Sequence, residues 1–181
     1  MGAAVVLAVC RDDQHRFSKR PASSVLLVAG VGVDGDAHAG TTVQHRSRVA
    51  VDPSRPNLRQ VHLLPVEFHD EAREHGYVLG PGDLGENVLT SGLDLLELPR
   101  GTLLRLGTEA VVRVTGLRNP CRQIDAFRPG LLRLAVRRDD NGQVLRRAGV
   151  MSVVVAGGTV APGAPIDVAV PPPPHQPLAP V

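Results

Sequence analysis

The 181-residue chain has too few cysteines for a disulfide framework, since Cys10 and Cys121 are its only two. Two thiols in a chain of this length point to a reducing compartment, and the expected location is the cytoplasm. They also exclude a cysteine-ligated iron–sulfur cluster. Lysine is nearly missing: Lys19 stands alone against nineteen arginines. The formal net charge is only +2 and no lysine block is present, which excludes a nucleic-acid partner. No apolar stretch approaches transmembrane length, so no membrane association is expected. The apolar opening Ala3 to Cys10 lacks a basic start and is short for a signal peptide. It gives way to Arg11-Asp12-Asp13 and reads as a first strand. Regular βαβ alternation is missing too, which argues against a doubly wound parallel fold. There is no internal repeat, no H-E-x-x-H and no paired C-x-x-C.

What is present is a series of short, valine- and leucine-rich runs. Val5 to Val9, Val25 to Val28, Gln60 to Leu64, Leu103 to Leu106, Val111 to Thr115, Met151 to Val155 and Ile166 to Val170 read as strands. Their number and irregular spacing predict a mainly β barrel or curled sheet with peripheral helices, an α+β chain of one domain over residues 1–171. Pro65 sits where a first helical residue would, and Val66 to His75 follows as a helix stopped by Gly76. Pro129 opens a second candidate helix, Gly130 to Arg137, and Asp139-Asp140-Asn141-Gly142 reads as a hairpin tip. Residues 172–181 form a proline-rich tail expected to be extended or disordered and dispensable for folding, because proline cannot extend a sheet ladder.

Cys121 carries the strongest chemical signal. It follows Pro120 and stands among arginines, in Arg118-Asn119-Pro120-Cys121-Arg122. Nearby positive charge favours the thiolate, the form that attacks electrophiles and binds metals. Gly30-Val31-Gly32-Val33-Asp34-Gly35 matches the dinucleotide pattern G-x-G-x-x-G, yet no helix-forming segment follows, and the match reads as accidental. Asp36 and His38 lie between Gly35 and Gly40. In extended backbone they point the same way and, with His45, form a conceivable metal site. An aspartate that caps backbone amides in a glycine-rich loop is the equal alternative. Asn57-Leu58-Arg59-Gln60-Val61-His62-Leu63 leads polar groups into a buried strand, with Arg59, Val61 and Leu63 on one face and Gln60 and His62 on the other. Gly82-Asp83-Leu84-Gly85-Glu86-Asn87-Val88 is a second glycine-punctuated polar turn running into a strand, where Glu86 and Asn87 are candidates to fix a ligand, although a structural turn uses the same residue types.

Taken in order, these segments resemble the MOSC domain, named for the C-terminal part of eukaryotic molybdenum cofactor sulfurases. The matching elements are Phe17-Ser18-Lys19, residues 32–40, Gln44 to Ala50, Pro56 to Leu63, Gly85-Glu86-Asn87, residues 116–121, Ala148 to Met151 and Gly157-Gly158. The chain is similar to the stand-alone bacterial type, which has no pyridoxal phosphate domain. The resemblance implies a closed or nearly closed β-barrel with a cysteine in a cleft. By motif position that cysteine is Cys121, as a carrier of sulfur or a ligand of molybdenum. The resemblance also nominates Asn87 as a neighbour of the pterin, and Arg118, Arg122 and Arg59 suit the phosphate of a molybdenum cofactor (molybdopterin). The implied activities are a molybdenum-dependent reductase of N-hydroxylated compounds, served by electron-transfer proteins, or a sulfurtransferase fed by a cysteine desulfurase. A sulfur carrier for metal–sulfur clusters without molybdenum is an alternative, as is a metal-dependent hydrolase or binding domain using Asp36 and His38. One departure is plain: the family usually reads Gly-Asp before the final strand, and this chain has Gly163-Ala164-Pro165.

Overall fold

The structure is a computed structural model that describes residues 3–45 and 49–181. Arg46, Ser47 and Arg48, part of the matching segment Gln44 to Ala50, therefore lie outside the described residues.

The strands, numbered in chain order, are β1 (Val5–Arg11), β2 (Arg20–Ala22), β3 (Val25–Val28), β4 (Gly32–Val33), β5 (Val61–Pro65), β6 (Val88–Ser91), β7 (Leu103–Leu106), β8 (Ala110–Leu117), β9 (Val136–Arg138), β10 (Val144–Arg146), β11 (Val150–Ala156), β12 (Gly158–Val160) and β13 (Ile166–Ala169). The helices made wholly of described residues are α1 (Val66–Glu74), α2 (Gln123–Phe127) and α3 (Leu132–Ala135). An eight-stranded sheet runs in the order β13-β7-β8-β11-β5-β6-β1-β2. Its single parallel pair among the described strands, β5 and β6, is bridged by α1. A three-stranded sheet, β12-β3-β4, packs on one face, and β9 and β10 form a separate hairpin.

Both faces of the large sheet are covered, and β5 shows how the sequence achieves this. Every residue of β5 is buried, and successive side chains leave opposite faces. Val61 and Leu63 enter the core shared with Val25, Leu27 and Val160 of the small sheet. Leu64 enters a second core with Phe68 and Ala72 of α1 and with Ile124 and Leu134 of the shorter helices. The α1 helix starts where Pro65, the last residue of β5, serves as its N-cap. Proline lacks the N–H that a first turn leaves unused, so the strand-to-helix switch costs no hydrogen bond there.

The expected fold is a closed or nearly closed barrel, and closure is not found: among the described residues no sheet is closed into a barrel. Residues 163–166 meet residues 4–6 instead through a short seam, Val6 N to Ala164 O at 2.9 Å, Gly163 N to Val6 O at 2.8 Å and Ile166 N to Ala4 O at 2.9 Å. Pro165 stands opposite Val5 and has no N–H to give, so the seam does not extend into a ladder. The Gly163-Ala164-Pro165 departure is thus the turn that makes this seam, with Gly163 at φ +88°.

Two further expectations change. The second helix is shorter than Gly130 to Arg137, because β-branched Val136 turns extended and begins the β9–β10 hairpin around the expected tip, where Gly142 N donates to Asp139 O at 2.9 Å. The proline tail docks rather than lying free. Arg100 N donates to Gln176 O at 2.8 Å, Leu117 N to Ala179 O at 2.9 Å and Val181 N to Leu117 O at 3.2 Å. Leu178 packs against the main core. The prolines cannot donate, and the residues between them supply the bonds.

The glycine-rich match at 30–35 is the β3–β4 hairpin, where Leu27 pairs with Val33. Residues 34–45, where the dinucleotide pattern would need its helix, contain none.

Candidate functional site

A cavity of about 290 Å3 opens at the end of the sheet where β8 stops and where β6 and β11 begin. Loops set its walls. The 80–87 loop lies so close to the 17–19 segment that a Cβ on Gly82 would stand 2.1 Å from Lys19 O, and one on Gly85 2.5 Å from Phe17 O. Both glycines also hold positive φ, so the close approach and the turn require the same residue type. Asn57 closes another wall: its Nδ2 donates to His38 O at 2.9 Å and to Gly40 O at 3.0 Å, while its Oδ1 accepts Arg59 N at 3.0 Å.

The lining is cationic. Arg16, Lys19, Arg59 and Arg118 reach it, together with several histidines, and no carboxylate does among the described lining residues. Arg118 is 8% exposed, and its Nη1 is buried with no hydrogen-bond partner among the described residues. Its guanidinium carbon lies 5.8 Å from the Phe17 ring centroid. Burial pushes the pKa of Arg118 down, with Cys121 and Glu86 acting against that. A guanidinium taken out of water without its bonds costs several kcal/mol, on the order of the penalty for any buried unpaired ion. Cys121 lies on the same wall, half-buried, with Sγ 3.4 Å from Gln123 Oε1.

Asp36 does not face the cavity but holds its floor together. It is 6% exposed and takes hydrogen bonds from Lys19 Nζ, from Asn87 Nδ2 at 3.0 Å and from His38 N at 2.9 Å. Burial alone would raise its pKa. The hydrogen bond from His38 and the charge and hydrogen bond of Lys19 outweigh that and hold the carboxyl well below the usual range. Lys19 is depressed by its own burial, which Asp36 opposes. Asp36 thus behaves as the capping aspartate of the loop. His38 lines the cavity with its ring 5.2 Å from that of His15 and 6.2 Å from that of His45. No group of three His, Cys, Asp or Glu is placed to hold a metal ion among the described residues.

The remaining candidates divide. Asn87 lines the cavity, but its amide is engaged: Nδ2 also donates to Cys10 O at 3.1 Å, and Oδ1 accepts His62 N at 3.1 Å. Arg59 lines the cavity and donates through Nη1 to Val181 O at 2.7 Å. Glu86 is fully buried outside the lining, where its carboxylate accepts Gly82 N at 2.6 Å and Leu84 N at 3.2 Å. Burial raises its pKa, against those backbone bonds. Arg122 is exposed outside the lining, at the N-cap of α2. The structure therefore brings Cys121, Arg118, Arg59, Asn87 and His38 to one cavity and leaves Arg122, Glu86 and Asp36 beside it.

Lys19 and His62 are lining residues that sequence reasoning did not single out. Lys19 carried a signal, being the sole lysine in an arginine-rich chain, at a spot where a compact ammonium pairs with a buried carboxylate. His62 is 4% exposed, its Nε2 lies 2.7 Å from Ala148 O, and burial, then the Arg118 charge, holds its pKa well below the ordinary value.

No helix among the described residues is long and apolar enough to cross a membrane. Comparison with curated protein sequences gives no match. Among solved structures, the YuaD protein from Bacillus subtilis is similar at 26% identity and a TM-score of 0.73, covering 97% of this chain and 97% of that one. YiiM from Escherichia coli shares the fold at 20% identity and a TM-score of 0.60, covering 95% of this chain and 73% of that one. YiiM from Geobacillus stearothermophilus does so at 18% identity and a TM-score of 0.56, covering 92% and 73%. The family model of the MOSC domain matches residues 34–167, from the cavity loop at Asp36 to the last strand, and the chain belongs to that family.

Proposed function

We propose that the cavity binds molybdenum cofactor through its anionic group and its metal. The single observation that carries this reading is Arg118, a nine-tenths-buried guanidinium with an unpartnered Nη1 in a cavity whose described lining holds no carboxylate. Such a group is stabilised when an anion arrives to take its bonds. The donor set fits the cofactor: Arg118 and Arg59 suit a phosphate, and the Cys121 thiolate suits a soft metal. The cofactor, when bound, supplies a redox-active metal held by a dithiolene. The chain's own part is to fix the phosphate, to offer one sulfur and to keep the site enclosed between the 17–19, 38–45 and 80–87 segments. Asn87, with both ends of its amide engaged, shapes the wall that a pterin would face. A reductase role calls for electron-transfer partners, and a cytoplasmic location suits the two free thiols.

A second reading is favoured by the partial exposure of Cys121. As a sulfur carrier, its thiolate would attack the outer sulfur of a cysteine desulfurase persulfide. The new S–S bond would form on Cys121, and the desulfurase would leave as its thiolate.

Metal analysis of freshly purified protein, with fluorescence of the oxidised pterin, tests the first reading. Wild type is expected to carry molybdenum and pterin in equal amounts, and Cys121→Ser to lose molybdenum while keeping its fold. Molybdenum retained in full by Cys121→Ser, or wild type free of both, would overturn it. Wild type free of both but able to accept sulfur from a persulfide donor at Cys121 would favour the second.

A further inference from the structure

One of the cavity's cations, Arg59, and the backbone leading into another, Arg118, are held by a segment that does not line the cavity. Val181 O accepts the hydrogen bond of Arg59 Nη1 at 2.7 Å. Leu117, the residue before Arg118, donates to Ala179 O at 2.9 Å and accepts from Val181 N at 3.2 Å, and it pairs in parallel with Pro180. Leu178 packs on the main core, and Gln176 O takes Arg100 N at 2.8 Å. The segment lies so close to β8 that a Cβ on Gly116 would stand 2.3 Å from Ala179 O. No residue of the segment is among those lining the cavity.

We propose that residues 176–181 are a positioning strap, and that anion binding in the cavity depends on the strap being seated. This rests on the anion-binding reading of the cavity. One strap bond fixes the Arg59 guanidinium, and two more fix the backbone that leads into Arg118. An arginine side chain carries about 2 kcal/mol of rotamer entropy. Fixing it before the ligand arrives removes that cost from binding. Because the strap lies outside the cavity, it organises the site without plugging it. A plug would be displaced by the anion, whereas a strap strengthens with it.

Gly116 offers a way to unseat the strap without touching the cavity. Gly116→Ala places a methyl group 2.3 Å from Ala179 O and 2.6 Å from Val181 Cγ1, too close for the strap to stay seated, at a backbone position that has no positive-φ strain to confuse the result. The probe is inorganic phosphate, titrated into the isotope-labelled full chain while the arginine Nε–H signals are followed by NMR. The full chain is expected to show saturable shifts at Arg118. A chain lacking residues 176–181 and full-length Gly116→Ala should each bind about tenfold more weakly, the scale of one lost preorganised side chain. A synthetic peptide of residues 172–181 should restore binding to the truncated chain but not to Gly116→Ala, whose groove is blocked. Rescue of that kind would not arise from general loss of stability. Phosphate binding by the full chain that neither change weakens, or that truncation tightens, overturns the strap. Failure of the full chain to bind phosphate would overturn the anion reading itself, and the strap with it.

Discussion

Asp36 and Lys19 form the tightest charged contact of the cavity floor, with side chains 1% and 5% exposed. Removing one partner of a buried pair leaves the other uncompensated, at a cost of about 3–5 kcal/mol. Asp36→Asn should lower the urea midpoint accordingly. The pH dependence has a definite sign. The folded pKa of Asp36 lies below its unfolded value of about 3.9, so the stabilisation is complete above that pH and is lost as pH falls through the folded pKa. Acid titration of stability should be shallower in Asp36→Asn than in wild type, and equal acid limbs would contradict the assignment. At this scale the sequence was legible for chemistry and opaque for role. Asp36, Asn87 and Glu86 stand in or beside the site, yet their polar atoms are taken by backbone groups, by Lys19 and by one another. Residue type cannot reveal whether a carboxylate meets a ligand or loop amides, because both uses need an acceptor at a turn. Arg118 was legible through its place beside Cys121, but its unpaired state depends on packing from Phe17 and the buried sheet end.

At the scale of elements, strands with continuous apolar runs were readable, Val25–Val28 and Leu103–Leu106 to the residue. The short strands β2, β4, β9, β10 and β12 were not, because two or three residues acquire a strand only from the partner they pair with. The α2 helix, only five residues long, likewise depends on burying Ile124 rather than on local periodicity. The tail misled for a different reason. Its composition predicts no core and no ladder, yet Leu178 finds a place on the core and Gln176, Ala179 and Val181 find backbone partners. Removing residues 176–181 should therefore cost about 2 kcal/mol, a fall of roughly 4–8 °C in Tm for a chain this size. An unchanged Tm in a calorimetric scan would show that the docking contributes nothing.

At the scale of the whole molecule, both faces of one sheet are covered while one of its ends is left to loops. Loops and strand ends bring residues from six stretches of chain, between His15 and Met151, to one cavity. Family membership and a mainly β chain were legible from the order of the segments, whereas closure was not, since it turns on the seam at Pro165. The site keeps the buried charge of Arg118 at a cost in stability. If Arg118 is unpaired until an anion binds, replacing it with an apolar side chain of similar length should stabilise the empty protein and disable it. The decisive measurement compares wild type with Arg118→Met, by denaturant midpoint of the ligand-free proteins and by phosphate titration followed by calorimetry. Arg118→Met should be at least as stable as wild type and should lose saturable phosphate binding. A variant that is markedly less stable, or that binds phosphate as wild type does, would contradict this reading of Arg118.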